Sequence, residues 1–291
     1  MLHNPKCHAR HIGPWLIETG YLNSALAAIK AGSMPTIDAA ARGRELDSMP
    51  PYVIDTNGVA FIGIEGPMMK GDSKYGGSNT VRTRMAIRSA GADKAVKAVR
   101  LMIDSPGGSV AGTAELARDV AAADNVKPVY AHVDGMAASA ALWVASQARK
   151  VFADPTAEVG SIGVVCVIED SSAAAELAGV KVHVVSTGPF KGAFAEGTAV
   201  TEEHLAYLQE RVNDQAKHFM NAIAEGRGME IERVKALADG RMFSAQFAKK
   251  QGLIDGIHGQ DESYQIVMNK VAPRRKAAEA ALRDARLRAL G

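Results

Sequence analysis

One serine has the surroundings that a nucleophile needs. Ser139 lies in the run G-M-A-A-S-A-A at 135–141, after an apolar stretch and at the start of an alanine-rich, helix-prone stretch. Small neighbours let a substrate backbone approach the hydroxyl, and the first turn of a helix offers free N–H groups that can stabilise an oxyanion. These features are typical of a nucleophilic serine. A small residue packed at a helix start explains the same stretch, so both interpretations stay open here.

Two further glycine-containing turns also follow predicted strands. They are S-P-G-G at 105–108 and G-S-I-G at 160–163. Because the ends of parallel strands meet at one edge of a sheet, we expect both turns to lie near Ser139. A Pro-Gly-Gly backbone can present N–H groups without side-chain obstruction, as an oxyanion hole requires. A tight strand-to-helix turn is the alternative, and the sequence does not tell whether Gly107 or Gly108 points inward.

Strands and helices alternate from residue 52 onward. Asn57-Gly58 predicts a hairpin between strands at 52–54 and 59–64. The later apolar runs predict strands at 95–103, 129–133, 151–153 and 182–185, and helices at 80–90, 138–148, 172–178, 201–225, 232–239 and 244–251. This alternation predicts βαβ units, a mainly parallel sheet and an α/β fold with a helical C-terminal part.

The two ends of the chain differ from the middle in composition. Residues 15–18 and 21–29 predict a short amphipathic helix in an N-terminal arm, and Met49-Pro50-Pro51 marks its boundary. The Ala/Arg-rich stretch 273–291 predicts a helix that buries little of its surface. We therefore divide the chain into an arm (1–50), a main domain (51–265) and a basic helical tail (266–291).

Composition limits the classes of function. The chain has 291 residues and a net charge of +2, too small to favour nucleic acid as a partner. Two cysteines far apart indicate a reducing compartment without a disulfide framework. We find no signal-peptide core and no window of about 18 apolar residues, which predicts a cytoplasmic protein without an integral membrane segment. The common phosphate-binding glycine motifs are absent, and we expect neither metal nor cofactor.

Five motifs together resemble the signal peptide peptidase A family. They occur in the order expected of that family, across residues 55–260: Asp104-Ser105-Pro106-Gly107-Gly108, Ala137-Ala138-Ser139, Gly160-Ser161-Ile162-Gly163-Val164, the lone Lys191, and Gly240-Arg241-Met242-Phe243 leading to Gly252-Leu253-Ile254-Asp255. With its own N-terminal arm and no anchor in the sequence, the chain is most similar to the phage and prophage branch, the head-maturation (prohead) proteases. The resemblance implies a Clp-protease/crotonase-like fold of repeated ββα units, a Ser–Lys dyad and assembly into rings.

The residues themselves must supply a base for the serine. The wider superfamily uses a histidine that follows the serine, but residues 162–167, at the corresponding distance, contain none. His132 precedes Ser139 on the predicted strand and His183 lies within another, so neither is expected to reach the hydroxyl. Lys191, 52 residues after the serine, is then the candidate base. A lysine acts in this way only when desolvation or nearby positive charge makes it neutral, and Phe190 and Phe194 could supply an apolar wall.

The remaining site residues have supporting roles. Gly108 and the backbone N–H of Ser139 or Ala140 are the oxyanion candidates. The resemblance implies that Ser161 holds the lysine amine, although a turn serine is an equal alternative.

The sequence thus predicts a Ser–Lys endopeptidase acting on capsid or scaffold proteins during phage head assembly. Degradation of peptides in the cytoplasm, a crotonase-like acyl-CoA enzyme and a ring-forming scaffold without activity are the alternatives. The expected partners are a protein or peptide substrate and further copies of this chain in a ring.

Overall fold

A computed structural model of the protein describes residues 14–271. Within this range the strands are β1 (Trp15–Ile17), β2 (Val53–Ile54), β3 (Val59–Glu65), β4 (Met68–Met69), β5 (Ser78–Asn79), β6 (Ala98–Ser105), β7 (Gly107–Ser109), β8 (Val129–Ala138), β9 (Lys150–Ala153), β10 (Glu158–Gly160), β11 (Met242–Ser244) and β12 (Gly256–Ile257). The helices are α1 (Thr19–Lys30), α2 (Ala39–Ser48), α3 (Thr80–Ala92), α4 (Thr113–Val126), α5 (Ala140–Ala145), α6 (Ser172–Leu177), α7 (Glu202–Arg227), α8 (Ile231–Lys235), α9 (Ala245–Gln251) and α10 (Gln260–Val271).

The larger of two sheets follows the order β11-β10-β8-β6-β3-β2, in which β9 also pairs with β8 and β12 pairs with β9. Its inner strands β3, β6, β8 and β10 are parallel, whereas β2 and β11 add antiparallel edges. The first five residues of β8 are all buried, as expected for a strand covered on both faces. The predicted α/β fold with a mainly parallel sheet is therefore confirmed, as is the hairpin of β2 and β3.

Helices cover both faces of the large sheet. The main apolar core contains Leu101 and Ile103 of β6, Leu116 of α4, Leu142 of α5 and Phe219 of α7. A smaller core on α10 joins Val267 to a few residues of the strands, among them Val59, Ala98, Tyr130 and Phe152. Burial on both faces holds the carboxyl ends of the central strands in fixed positions, and these ends carry the candidate site.

A smaller sheet has the order β1-β7-β4-β5. Its strand β7 consists of Gly107, Gly108 and Ser109, so the Pro-Gly-Gly turn leads directly into this sheet. On one side β7 pairs with β4 in parallel, and on the other it pairs with β1 in antiparallel orientation. The N-terminal part of the chain therefore lies against the glycine turn.

Two predicted elements are wrong. Residues 15–17 form β1 rather than the start of a helix, because they pair with β7, a partner that no local pattern reveals. Residues 182–185 form no strand and are exposed, since no strand of the described chain pairs with them. Helix α2 was not predicted, and the predicted tail helix 273–291 lies outside the described residues.

The division into arm, main domain and tail stays a prediction. Helix α10 runs through the boundary at 265, and β1 joins the arm to the smaller sheet. None of the helices within residues 14–271 combines the length and the apolar character that a membrane crossing needs.

Candidate active site

Three neighbouring strand ends bring the glycine turns together. In the pairing of β6 with β8, Ser105 lies opposite Ala137, and in the pairing of β10 with β8, Gly160 lies opposite Ala138. The chain leaves β8 at Ser139, between these two strands. The turns at 105–108 and 160–163 therefore lie next to Ser139, as we expected from the sequence.

Ser139 has a strained backbone. Its φ of 53° and ψ of −115° form a sharp turn from β8 into α5, a conformation that costs a non-glycine residue about 1–3 kcal/mol. Two hydrogen bonds hold the turn: the Ser139 N–H donates to Gly160 O at 2.8 Å, and Ser139 O accepts from Trp143 N–H at 3.0 Å. Strain of this kind, maintained by surrounding contacts, is typical of a nucleophile presented at a strand-to-helix turn.

The small side chains around Ser139 are required by packing. Ala137, Ala138, Ala140 and Ala141 are all fully buried, so a larger side chain at any of them would meet its neighbours. Ser139 is itself fully buried, and its hydroxyl donates a long hydrogen bond of 3.4 Å to Gly163 O. Tight packing at the start of the helix therefore explains the alanines of this stretch. It does not explain Ser139, whose hydroxyl is only weakly hydrogen-bonded.

The oxyanion candidates lie beside that hydroxyl. A Cβ placed on Gly107, whose φ is +95°, would lie 2.9 Å from Ala138 O and 3.1 Å from Ala140 N. A Cβ on Gly108 would overlap Met68 O, so both positions need glycine. The Ser139 N–H already donates to Gly160 O, whereas Ala140 begins α5 and its N–H has no partner within the helix. Of the two N–H groups considered, that of Ala140 is the one left for an oxyanion.

Ser105 is a supporting residue that sequence reasoning missed. Its buried hydroxyl donates to Gly66 O at 2.6 Å and accepts from the Gly107 N–H at 3.2 Å. This side chain fixes the start of the Pro-Gly-Gly turn. A serine directly before Pro-Gly-Gly is a signal, because serine hydroxyls often bond to backbone N–H groups two residues on.

Ser161 occupies the corresponding place after β10. It has a φ of 52°, is almost fully buried, and its N–H donates to Arg241 O at 2.8 Å. Two non-glycine residues with positive φ, Ser139 and Ser161, thus end adjacent strands of the same sheet. Its predicted contact with a lysine amine stays a prediction.

Lys191 lies in a different environment. Its side chain is exposed, and it belongs to a loop stretch in which the Lys191 N–H donates to Gly188 O at 3.0 Å. Phe190 and Phe194 pack against His204 of α7, with ring centroids 5.9 and 5.3 Å apart. Within the described chain no hydrogen bond joins Lys191 to Ser139. The Ser–Lys dyad therefore stays a prediction.

Neither His132 nor His183 makes a hydrogen bond to Ser139 in the part of the chain that the structure describes. His132 is buried, and its Nδ1 lies 3.0 Å from the Ser263 hydroxyl of α10, which also accepts from Arg100 at 2.7 Å. Burial, and then the charge of Arg100, lowers the pKa of His132 to about 4, so it is neutral near pH 7. His183 is exposed in an irregular stretch. Both fit the expectation that neither reaches Ser139.

Metal-ligand chemistry has no support in the part of the chain that the structure describes. No group of three or more His, Cys, Asp or Glu residues there could hold an ion. Cys166 has a free thiol, and Cys7 lies outside the described residues.

Residues 121–273 match the profile of Peptidase family S49. This matched stretch contains Ser139, Ser161 and Lys191. Protease 4 of Salmonella typhi is 32% identical over 211 residues, covering 72% of this chain and 34% of the relative. Serine protease SPPA, chloroplastic, of Arabidopsis thaliana is 25% identical over 258 residues, covering 86% of this chain and 38% of the relative. Capsid assembly protease C of Escherichia phage lambda is 26% identical over 223 residues, covering 75% of this chain and 51% of the relative.

The predicted Clp-protease-like fold and the predicted resemblance are confirmed by these matches. The chain spans between about a third and just over half of the length of the first relatives, at 55%, 34% and 48%. The similarity therefore concerns only part of the length of those proteins.

Proposed function

Because the chain belongs to Peptidase family S49, we propose that it is a serine endopeptidase with Ser139 as nucleophile and Lys191 as general base. The observation that carries the proposal is the strained turn at Ser139, with a weakly bonded hydroxyl beside the Gly107-Gly108 turn and the Ala140 N–H. These groups are what acyl transfer needs: a nucleophile and preorganised N–H donors.

The steps follow from these groups. The neutral lysine amine takes the Ser139 proton while the hydroxyl oxygen bonds to the substrate carbonyl carbon. The resulting oxyanion is held by the N–H groups of Gly108 and Ala140, because the Gly107 N–H already donates to the Ser105 hydroxyl. The C–N bond then breaks as the lysine ammonium returns its proton to the leaving amine. A water molecule, deprotonated by the same amine, attacks the acyl ester and releases Ser139 with its proton.

We further propose that Lys191 serves Ser139 of a neighbouring copy in a ring. Lys191 is exposed while Ser139 is buried, and no hydrogen bond joins them within the described chain. An amine seated beside a neighbour's buried serine would lose its water, which is the condition under which lysine acts as a base. A head-to-tail contact of this kind forms a ring when the rotation between neighbouring copies closes, as we propose here.

The proposed substrates are capsid or scaffold proteins processed during phage head maturation. This rests on the relative from phage lambda, whose name describes a capsid assembly protease. Degradation of other proteins or peptides is the alternative, and a peptide library distinguishes the two by the sequences that are cut.

Mixing two inactive variants tests the proposal. Ser139→Ala and Lys191→Ala should each lose peptide cleavage, measured with fluorogenic peptides and intact mass. If the dyad spans two subunits, refolding an equal mixture should restore about a quarter of the sites, because each intact site needs one chain of each kind. If the refolded mixture of the two variants regains no peptidase activity, the shared site is contradicted. Full activity of Lys191→Ala alone would contradict the dyad.

A further inference from the structure

The N-terminal strand β1 lies where an extended peptide would bind. On one side it pairs with β7 in antiparallel register, with Leu16 opposite Gly108 and Ile17 opposite Gly107. On the other side, Trp15 N–H donates to Val165 O at 2.7 Å and Val165 N–H donates to Trp15 O at 2.9 Å. An extended segment bonded along both edges is the mode by which many proteins bind a peptide strand.

The register brings one peptide bond to the oxyanion candidates. A Cβ on Gly107 would clash with Leu16 O, and the same point lies 3.1 Å from Ala140 N. The carbonyl of Leu16 is thus directed to the space between the glycine turn and the first N–H of α5. The Leu16 side chain is fully buried in the main core. In a peptidase that uses these N–H groups, the carbonyl beside them belongs to the bond that is cut, which for this strand would be Leu16–Ile17.

Burial of the nucleophile supports the same interpretation. Ser139 has no exposed surface, yet a serine peptidase must admit a substrate to its hydroxyl. Access requires that a segment covering the serine move, and β1 lies beside the turn that flanks it. A strand of three residues is a short element whose local opening costs less than global unfolding.

We propose that residues 15–17 are a built-in substrate-like strand that occupies the substrate cleft and must leave before another peptide binds. The inference rests on the proposed function, since it takes Ser139 as the nucleophile. Leu16 fills the subsite for the residue on the amino side of the cut bond. External substrates are accordingly extended segments with a large aliphatic residue at that position.

The chain that follows β1 keeps the strand in register. Glu18 N–H donates to Pro106 O at 2.7 Å, which extends the pairing by one residue. The Glu18 carboxylate then accepts from the N–H groups of Gly20 and Tyr21 at 2.7 and 2.6 Å and caps α1. Release of β1 therefore breaks a defined set of bonds and can leave α1 folded.

A reversible lock tests the inference in the full chain. In a Cys7→Ser/Cys166→Ser background, Trp15→Cys and Val165→Cys place two thiols on a directly paired position, a geometry that a disulfide can bridge. Oxidation should slow the reaction of Ser139 with a fluorophosphonate probe by at least about tenfold, and reduction should restore it. Each single-cysteine variant is the control and should respond to neither treatment.

The outcomes separate the inference from the proposed function. Failure of the disulfide to form would overturn the position of β1. A disulfide that leaves the labelling rate unchanged would overturn the inference while Ser139 remains the nucleophile. If the disulfide forms but the probe labels Ser139 neither in the oxidised nor in the reduced protein, nor in any other variant, the proposed function is overturned and the inference with it.

A second variant releases the strand without a cross-link. Leu16→Glu introduces a charge that cannot remain buried, so β1 should leave the cleft and labelling of Ser139 should rise. Ile37→Glu makes the same change at an exposed position of the arm and should leave labelling unchanged. Added peptide Pro-Trp-Leu-Ile-Glu should slow labelling of Leu16→Glu, whereas the same peptide with Glu for Leu should not. Equal labelling of both variants and wild type would contradict the inference.

Discussion

The two regions that supply the proposed dyad are built differently. The serine edge, formed by residues 105–108, 135–141 and 160–163, lies at the ends of three paired strands and is mostly buried. The lysine segment, residues 179–200, contains neither helix nor strand, and Val185 within it is 98% exposed. One chain thus fixes its nucleophile by internal contacts and leaves its candidate base on the surface.

The lysine segment nevertheless has the sequence of a strand. Val180, Val182 and Val184 alternate with polar residues, and all three are exposed. Valines in alternation are typical of a strand that pairs with another and buries one face. Because the described chain offers no partner, the exposed valines support the proposal that a second copy completes the lysine segment.

Alanine substitutions of glycines should show the largest difference in activity between the serine edge and the lysine segment. A methyl group on Gly108 would overlap Met68 O, so Gly108→Ala must displace the turn and should lower kcat/KM by at least about 100-fold. Gly188 in the lysine segment has no atom within 4 Å of the same methyl position, so Gly188→Ala should change kcat/KM by less than about twofold. Peptide cleavage, with circular dichroism to verify folding, measures both.

Similar losses in the two alanine variants would show that the lysine segment is as tightly constrained as the serine edge. Normal activity of Gly108→Ala in a folded protein would remove this turn from the site.

Much of the fold could be predicted because its signals are local. The strands β3, β6 and β9 are apolar runs, the hairpin has its Asn57-Gly58 turn, and α7 has its Thr201 cap. The failures depend on distant partners. Residues 15–17 are apolar enough for either a helix or a strand, and pairing with β7, about 90 residues away, decides between them. Residues 182–185 carry the signal of a strand but lack the partner.

The site was predictable to the extent that parallel strands end at one edge. That rule brings 105–108 and 160–163 to Ser139 without knowledge of any contact. It says nothing of the hydroxyl of Ser105 or of the strand that lies along β7, since both depend on backbone geometry. The base is the least predictable part, because the proposed contact between copies would leave no periodicity at Lys191.

Buried His132 of β8, just before the serine edge, should make the stability of the protein depend on pH. The pKa of buried His132 is lowered from 6.5 to about 4, by burial first and then by Arg100, while Asp134 and Asp154 oppose this. Between those pH values the unfolded chain binds more protons than the folded chain, so the free energy of unfolding should fall on acidification by on the order of 2 kcal/mol. Urea unfolding at pH 7 and pH 4.5 measures this loss.

His132→Asn should reduce that loss, because asparagine does not take up a proton. His183→Asn, in the lysine segment, controls for removing a histidine and should behave as wild type. The same acid loss in His132→Asn as in wild type would mean that other groups are responsible.

A substitution at Val185 should have the smallest effect of these changes. It tests whether a second copy completes the lysine segment. Val185→Asp should change the free energy of unfolding of the separated chain by less than about 0.5 kcal/mol, because the side chain is almost fully exposed. In the assembly it would put a charge into an apolar contact, so we expect smaller particles by mass photometry and about tenfold lower peptidase activity. Leu177→Asp, which alters a residue of α6 outside the segment that is 91% exposed, is the matched control. If Val185→Asp keeps both its particle mass and its activity, the segment is no subunit contact, and Lys191 would have to reach Ser139 through movement within one chain.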